Sequence, residues 1–126
     1  MSIYSYKWLL MIKNGKILDS LARLFKLLSD PNRIRILFAI GKEKKSVSEI
    51  MSQTALSQTL VSFHLRPLRE SGIVAAERQG PFIYYSAAEP VLIDLLLSLA
   101  GGPPRGIEDQ VNSLLPPMQF MRKWMK

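Results

Sequence analysis

The stretch that most constrains this chain runs from residue 46 to residue 86. It reads S-V-S-E-I-M, a short T-A-L connection, S-Q-T-L-V-S-F-H-L-R-P-L-R-E-S-G, and then two β-like runs around a polar tip. Ser46 and Glu49 have the spacing of a capping box, so a helix is predicted to start at Val47 and end near Gln53. Ser57 is placed to cap a second helix that runs to about Ser71 and stops at Gly72. Residues 73–78 and 82–86 carry the Val, Ile, Phe and Tyr of β-strands, and Gln79-Gly80-Pro81 joins them into a hairpin. Two short capped helices followed by a tight hairpin is the order of a winged helix-turn-helix. The expected fold is mainly α with a small β-hairpin: about five to six helices plus a two-stranded wing.

Upstream, Ile17, Leu21, Leu24, Phe25 and Leu28 recur at helical spacing and predict an amphipathic helix over 16–28. Asp30 and Pro31 then suit the N-cap and first position of a helix that continues R-I-R-I-L-F-A-I and ends at Gly41. Lys42-Glu43-Lys44-Lys45 reads as a solvated loop. Downstream, Glu89-Pro90 opens a helix with Val91, Leu92, Leu95, Leu96 and Leu99 apolar, broken by Gly101-Gly102-Pro103-Pro104. A weak helix is expected over 107–115, followed by an amphipathic, basic tail over 118–126. These elements are expected to form one winged-helix domain over 1–126, with a core at 16–99 and extensions at 1–15 and 103–126.

Lys and Arg outnumber Asp and Glu by 17 to 10, a formal charge of +7. That excess favours an anionic partner, nucleic acid before an anionic membrane surface. There is no cysteine, which excludes disulfides, thiolate metal sites and cysteine redox switches. The most apolar runs, 8–12 and 91–100, are far shorter than the roughly 20 residues a membrane span needs. The N-terminal M-S-I-Y-S-Y-K-W-L-L-M-I lacks the basic lead and small-residue cleavage site of a signal segment. The expected location is cytoplasmic.

At 100° per residue, Val61, Leu65 and Leu68 share one face of the 57–71 helix, with Thr59, Ser62, Phe63 and Arg66 opposite. Gln58 lies toward one edge, in the first turn. Gln pairs with adenine edges, hydroxyls bond bases or phosphates, and Arg suits guanine or phosphate. Each alone is an ordinary solvated helix surface. Together with the preceding helix, the hairpin and the charge, they point to a groove-reading face. His64 is the only histidine and falls beside the buried face. A packed, hydrogen-bonded structural role comes first for it and a phosphate contact second, and it has no companion His or Cys for a metal. Pro67 removes an N–H and collides with the carbonyl of Phe63, so a kink or irregular turn is expected over 63–67. At the hairpin, Arg78 suits a flanking minor groove or phosphate, or simply keeps an edge strand from pairing, and Glu77 beside it weakens the positive field. Of the adjacent Tyr84 and Tyr85, one is expected in the core and one at the surface.

The runs L-F-K-L-L-S-D-P-N-R-I-R-I-L, L-S-Q-T-L-V-S-F-H-L-R-P-L-R-E-S-G-I-V and G-P-F-I-Y-Y-S resemble the ArsR/SmtB-type family of winged-helix repressors over about residues 17–99. The resemblance implies a homodimer built from the first and last helices, a major-groove recognition helix matched by Ser57, Gln58, Thr59, Ser62 and His64, and a wing matched by Arg78 and Gly80. Many members bind metal through a Cys-x-Cys helix, where this chain reads K-S-V-S-E-I. Others use His and Asp on the last helix, where this chain has Asp94 and no histidine. No metal and no cofactor is expected.

The helix over 91–99 is too apolar to stand in water, so a second copy is expected to cover it, with the N-terminal segment adding to the interface or crossing over. Asp94 is either an edge residue or a paired buried charge, with the edge favoured. The tail is expected to pack on the dimer or fray rather than lie on a membrane. The six methionines suit an adaptable pocket for a small hydrophobic effector, although core packing accounts for them better. The expected function is a homodimeric repressor that binds double-stranded DNA, reading an inverted repeat with helix 57–71 and wing 77–82, and does not respond to metal. Its expected DNA contacts are Ser57, Gln58, Thr59, Ser62, His64, Arg66 and Arg78, and a small-molecule or protein effector is left open. The competing reading is a winged-helix module for protein–protein or membrane-surface contact without operator binding. An enzyme is not expected: the chain has no Cys, no acid partner near its one His and no phosphate-cradling Gly loop.

Overall fold

The computed structural model describes the backbone of residues 3–101 and the side chains of residues 5–101. The expected helix over 107–115 and the tail over 118–126 lie outside the described residues. The elements follow as α1 (Ile3–Lys13), α2 (Gly15–Leu27), α3 (Pro31–Ile40), β1 (Lys45–Ser46), α4 (Val47–Thr54), α5 (Gln58–Glu70), β2 (Val74–Gln79), β3 (Phe82–Ala87) and α6 (Pro90–Ala100).

The starts of α2, α3, α4 and α5 are held by side-chain caps. Asn14 Oδ1 accepts from the Ile17 N–H at 3.2 Å, and Asp30 Oδ1 from the Asn32 N–H at 2.8 Å. Ser46 Oγ accepts from the Glu49 N–H at 3.2 Å, and Ser57 Oγ from the Leu60 N–H at 3.2 Å. Each satisfies one of the orphan donors of a first turn. The turn from α4 to α5 uses Ala55 in the left-handed region, φ 60°, where a side chain is strained. Its N–H bonds the Met51 carbonyl at 2.9 Å and closes α4. The Arg33 guanidinium reaches back to the Leu27 carbonyl at 3.2 Å and ties α3 to the end of α2.

α3, α4 and α5 pack on one another, and Ile36, Leu37, Ile40, Ile50, Val61, Leu65 and Leu68 fill the space between them. Val74 and Tyr85 from the sheet and Ile93 from α6 complete the core. β2 and β3 pair antiparallel from Val74↔Ala87 to Gln79↔Phe82, with Gly80 at φ 62° opening a two-residue loop that only glycine enters without strain.

Three expectations change. The wing is three-stranded, not two-stranded, because Lys45 and Ser46 leave the predicted solvated loop and pair with Tyr85 and Tyr84, giving the order β1-β3-β2. A two-residue polar strand has no alternation of its own, and its only cause is the unpaired edge of β3. α5 runs as one α-helix through Pro67, so of the kink or irregular turn expected over 63–67 the irregular turn is absent. Pro67 stands in the last turn, so only one ladder bond is lost, and the buried Leu65 and Leu68 on either side keep both flanks of the proline on the core. Asp94 is a half-buried ion pair rather than an edge residue, with the Lys42 ammonium 2.9 Å from its Oδ1.

α1 is a helix that no periodicity announces, because it is apolar on every side. Tyr6, Trp8, Leu9, Leu10, Met11 and Ile12 are all exposed, Trp8 at 71%. α2 buries none of its residues, and the predicted apolar face leaves Ile17, Leu21 and Phe25 in solvent. On α6, Val91, Leu95 and Leu99 form an exposed stripe at i, i+4 and i+8. No helix among the described residues is long and apolar enough to cross a membrane.

Candidate nucleic-acid interface

α5 is anchored along one side and open along the other. Val61, Leu65 and Leu68 are buried against α3 and α4, while Ser57, Gln58, Thr59, Ser62, Phe63 and Arg66 are exposed. The first four of these exposed residues cover the N-terminal half of the helix and supply hydroxyl and amide groups. The helix start adds backbone N–H groups to the same end, where an anion is favoured. Arg66 sits one to two turns further on. Its Nε donates to Glu70 Oε1 at 3.0 Å in an exposed i,i+4 pair, so its charge is partly compensated but not buried. Arg69 joins it: Ser62, Leu65, Arg66, Arg69 and Tyr85 line one groove between α5 and β3.

His64 stands apart from this set. It is 5% exposed, on the side of the helix that faces the core. Its ring meets Phe63 edge-on, with centroids 5.1 Å apart and planes at 81°. Its Nδ1 has no hydrogen-bond partner among the described residues, so the histidine is packed as expected but is not hydrogen-bonded at that atom.

In the hairpin, Arg78 is exposed and pairs with Ile83, on the sheet face that carries Val74 and Tyr85. Glu77 points to the other face, beside Tyr84, and its carboxylate accepts from the Lys44 ammonium. Tyr85 is buried and Tyr84 half-buried, the division expected from strand alternation. The Lys44 hydrogen bond and charge, with Gln79 as a lesser donor, hold the Glu77 carboxyl below the ordinary carboxylate value. A depressed carboxyl keeps its pair at neutral pH and loses it as pH falls through the folded value. The sequence places Glu77 as a drain on the field of Arg78, whereas the fold spends its charge on Lys44. Sequence reasoning missed the contribution of Lys44, because a lysine in a four-residue charged run gives no sign of its cross-strand partner. Glu77→Gln is expected to release Lys44 and to strengthen binding to any DNA, with the salt slope steepening by up to about one unit if the freed ammonium reaches a phosphate. A salt series on a random duplex checks this.

Among the described residues, no group of three or more His, Cys, Asp or Glu side chains is disposed to hold a metal ion.

The geometry has relatives. Residues 30–76, from the cap of α3 into β2, match the model of the bacterial regulatory protein arsR family. An HTH-type transcriptional regulator of Mycobacterium tuberculosis is 37% identical over 94 residues, covering 74% of this chain and 82% of that protein. A crystal structure of the same mycobacterial protein superposes with a TM-score of 0.58 at 36% identity, over 79% of this chain and 96% of that one. A Streptomyces lividans protein named "Probable mercury resistance operon repressor" is 35% identical over 79 residues, 63% of this chain and 63% of its own length. A homodimeric winged helix-turn-helix DNA-binding domain from Mycobacterium bovis, solved by NMR, superposes with a TM-score of 0.62 at 30% identity over 68% of this chain and 82% of that one. With its capped helix pair, its hairpin and this degree of identity over most of its length, the chain belongs to the arsR family of bacterial regulatory proteins.

Proposed function

We propose that the protein is a homodimeric transcriptional repressor that binds an inverted-repeat operator, with α5 in the major groove and the β2–β3 hairpin at the flanking backbone or minor groove. The observation that carries this reading is the two-sided character of α5: a buried apolar side that fixes its orientation and an open side of Ser57, Gln58, Thr59, Ser62 and Arg66. Arg78 serves the wing. His64, buried beneath the reading face, acts by packing.

The dimer is supported by what the monomer leaves in water. α2 and α6 expose Ile17, Leu18, Leu21, Phe25, Val91, Leu95 and Leu99, and α1 adds its own apolar surface. A monomeric protein rarely leaves so many large apolar side chains of three helices uncovered. A second copy related by a two-fold axis covers it and presents two recognition helices to a palindromic site. The relative named for mercury resistance marks a contrast, because this chain has no cysteine to hold a thiophilic ion. A thiolate-held metal signal is therefore not proposed for this protein.

Two substitutions test the roles on α5. Gln58→Ala is expected to cost about 1–3 kcal/mol on the cognate site and nothing on random duplex, as loss of a base contact does. Arg66→Ala is expected to weaken both duplexes alike and to lower the salt slope by about one unit, as loss of a phosphate contact does. Fluorescence anisotropy over a salt series measures both. Equal losses for Gln58→Ala on the two duplexes contradict base reading by that residue.

A further inference from the structure

We propose that Phe63 is a specificity residue of α5, reading the C5-methyl group of a thymine in the major groove. The inference rests on the reading of α5 as the DNA-contacting helix and names part of what it recognises. Phe63 is 65% exposed. Helical geometry puts it between Thr59, one turn before, and Arg66, three residues after, in the middle of the open face rather than at its margin. It is the only aromatic residue of α5 on that face. Its ring meets the buried His64 edge-on, a contact that favours the orientation in which the phenyl group projects from the helix.

The chemistry of the ring narrows its ligand. A phenyl group offers no donor or acceptor, so it neither holds a phosphate nor pairs with a base edge. Of the groups that the four base pairs display in the major groove, the thymine methyl is the apolar one. Placed among Gln58, Thr59, Ser62 and Arg66, which have polar and charged partners available there, Phe63 supplies the largest and most exposed apolar group on that side of α5, Leu60 being 42% exposed. It is also separate from the apolar surface assigned to the dimer, which lies on α1, α2 and α6.

The experiment uses the full chain and an operator recovered by genomic fragment selection. Each symmetric pair of thymines in the two half-sites is replaced in turn by deoxyuridine, which removes only the methyl groups. Anisotropy titrations compare wild type, Phe63→Ala and Phe63→Leu, with thermal unfolding to check that the variants are folded. The expected result is one thymine pair whose replacement weakens wild type by about fourfold per half-site, the transfer of one methyl. The same replacement leaves Phe63→Ala unchanged, and Phe63→Leu, still apolar, keeps part of the effect. The proposal is overturned if no deoxyuridine duplex weakens wild type, or if every duplex weakens all three proteins by the same factor. Either outcome, with wild type still preferring operator to random duplex, leaves the reading of α5 standing and gives Phe63 to another contact, such as a protein partner. A wild type that does not distinguish operator from random duplex overturns both.

Discussion

Leu95→Glu is expected to leave a folded monomer that no longer holds its operator. Leu95 is 53% exposed, between Val91 and Leu99 on the outer stripe of α6, and it is not among the residues of the core. A carboxylate there meets water in the isolated chain, and surface changes of that kind stay within about 0.5 kcal/mol of the parent. In the dimer the same carboxylate is buried against apolar neighbours without a partner, a penalty of several kcal/mol per charge. Two-fold symmetry doubles it. Loss of the dimer removes one half-site from every binding event. Specific sites are held roughly 10³–10⁷ times more tightly than random DNA, so separating the half-sites is expected to cost at least about 10²-fold in operator affinity at fixed salt. Light scattering with size-exclusion chromatography reads the first effect and anisotropy the second. A Leu95→Glu protein that remains dimeric places the interface elsewhere on the molecule.

Leu68→Ala is the largest expected loss of stability that also bears on the reading helix. Leu68 is fully buried and follows Pro67, so it fastens the last turn of α5 to the core where the helix has given up a backbone bond. Its truncation removes apolar contact and leaves a cavity, a cost of about 2–5 kcal/mol. A domain of this kind has about 5–15 kcal/mol in total, so the variant stands close to unfolding at ordinary temperature. A denaturant midpoint that falls with an unchanged slope, measured at one protein concentration so that the proposed dimerisation does not enter the comparison, is the expected record. A loss below 1 kcal/mol would mean that α5 is held mainly by something other than its buried leucines.

The parts of this fold that local chemistry determines are legible in the sequence. Asp30, Ser46 and Ser57 are caps by residue type and position, and each accepts the predicted kind of backbone bond. Val61, Leu65 and Leu68 fall on one face by spacing alone, and that face is the buried one. What the sequence conceals depends on partners distant in the chain. β1 exists because β3 offers an edge. Asp94 is paired because Lys42 lies against α6. The uninterrupted course of α5 through Pro67 is decided by packing that outweighs a local preference. α1 is hidden for a different reason: periodicity finds helices with a wet side and a dry side, and this one is apolar all round. On the candidate site, residue type and spacing identify the exposed set on α5, but burial separates His64 from it and cross-strand geometry gives Glu77 to Lys44.

The measurement that tests the central claim most directly is binding of the full chain to the promoter region upstream of its own gene, by fluorescence anisotropy over a salt series, with a random duplex as control. The account predicts saturable binding to the promoter fragment by a dimer, at least about 10³-fold tighter than to the random duplex at physiological salt. Binding that is weak and equal on both duplexes, for the promoter and for selected genomic fragments alike, contradicts it and leaves the open face of α5 to a partner other than DNA.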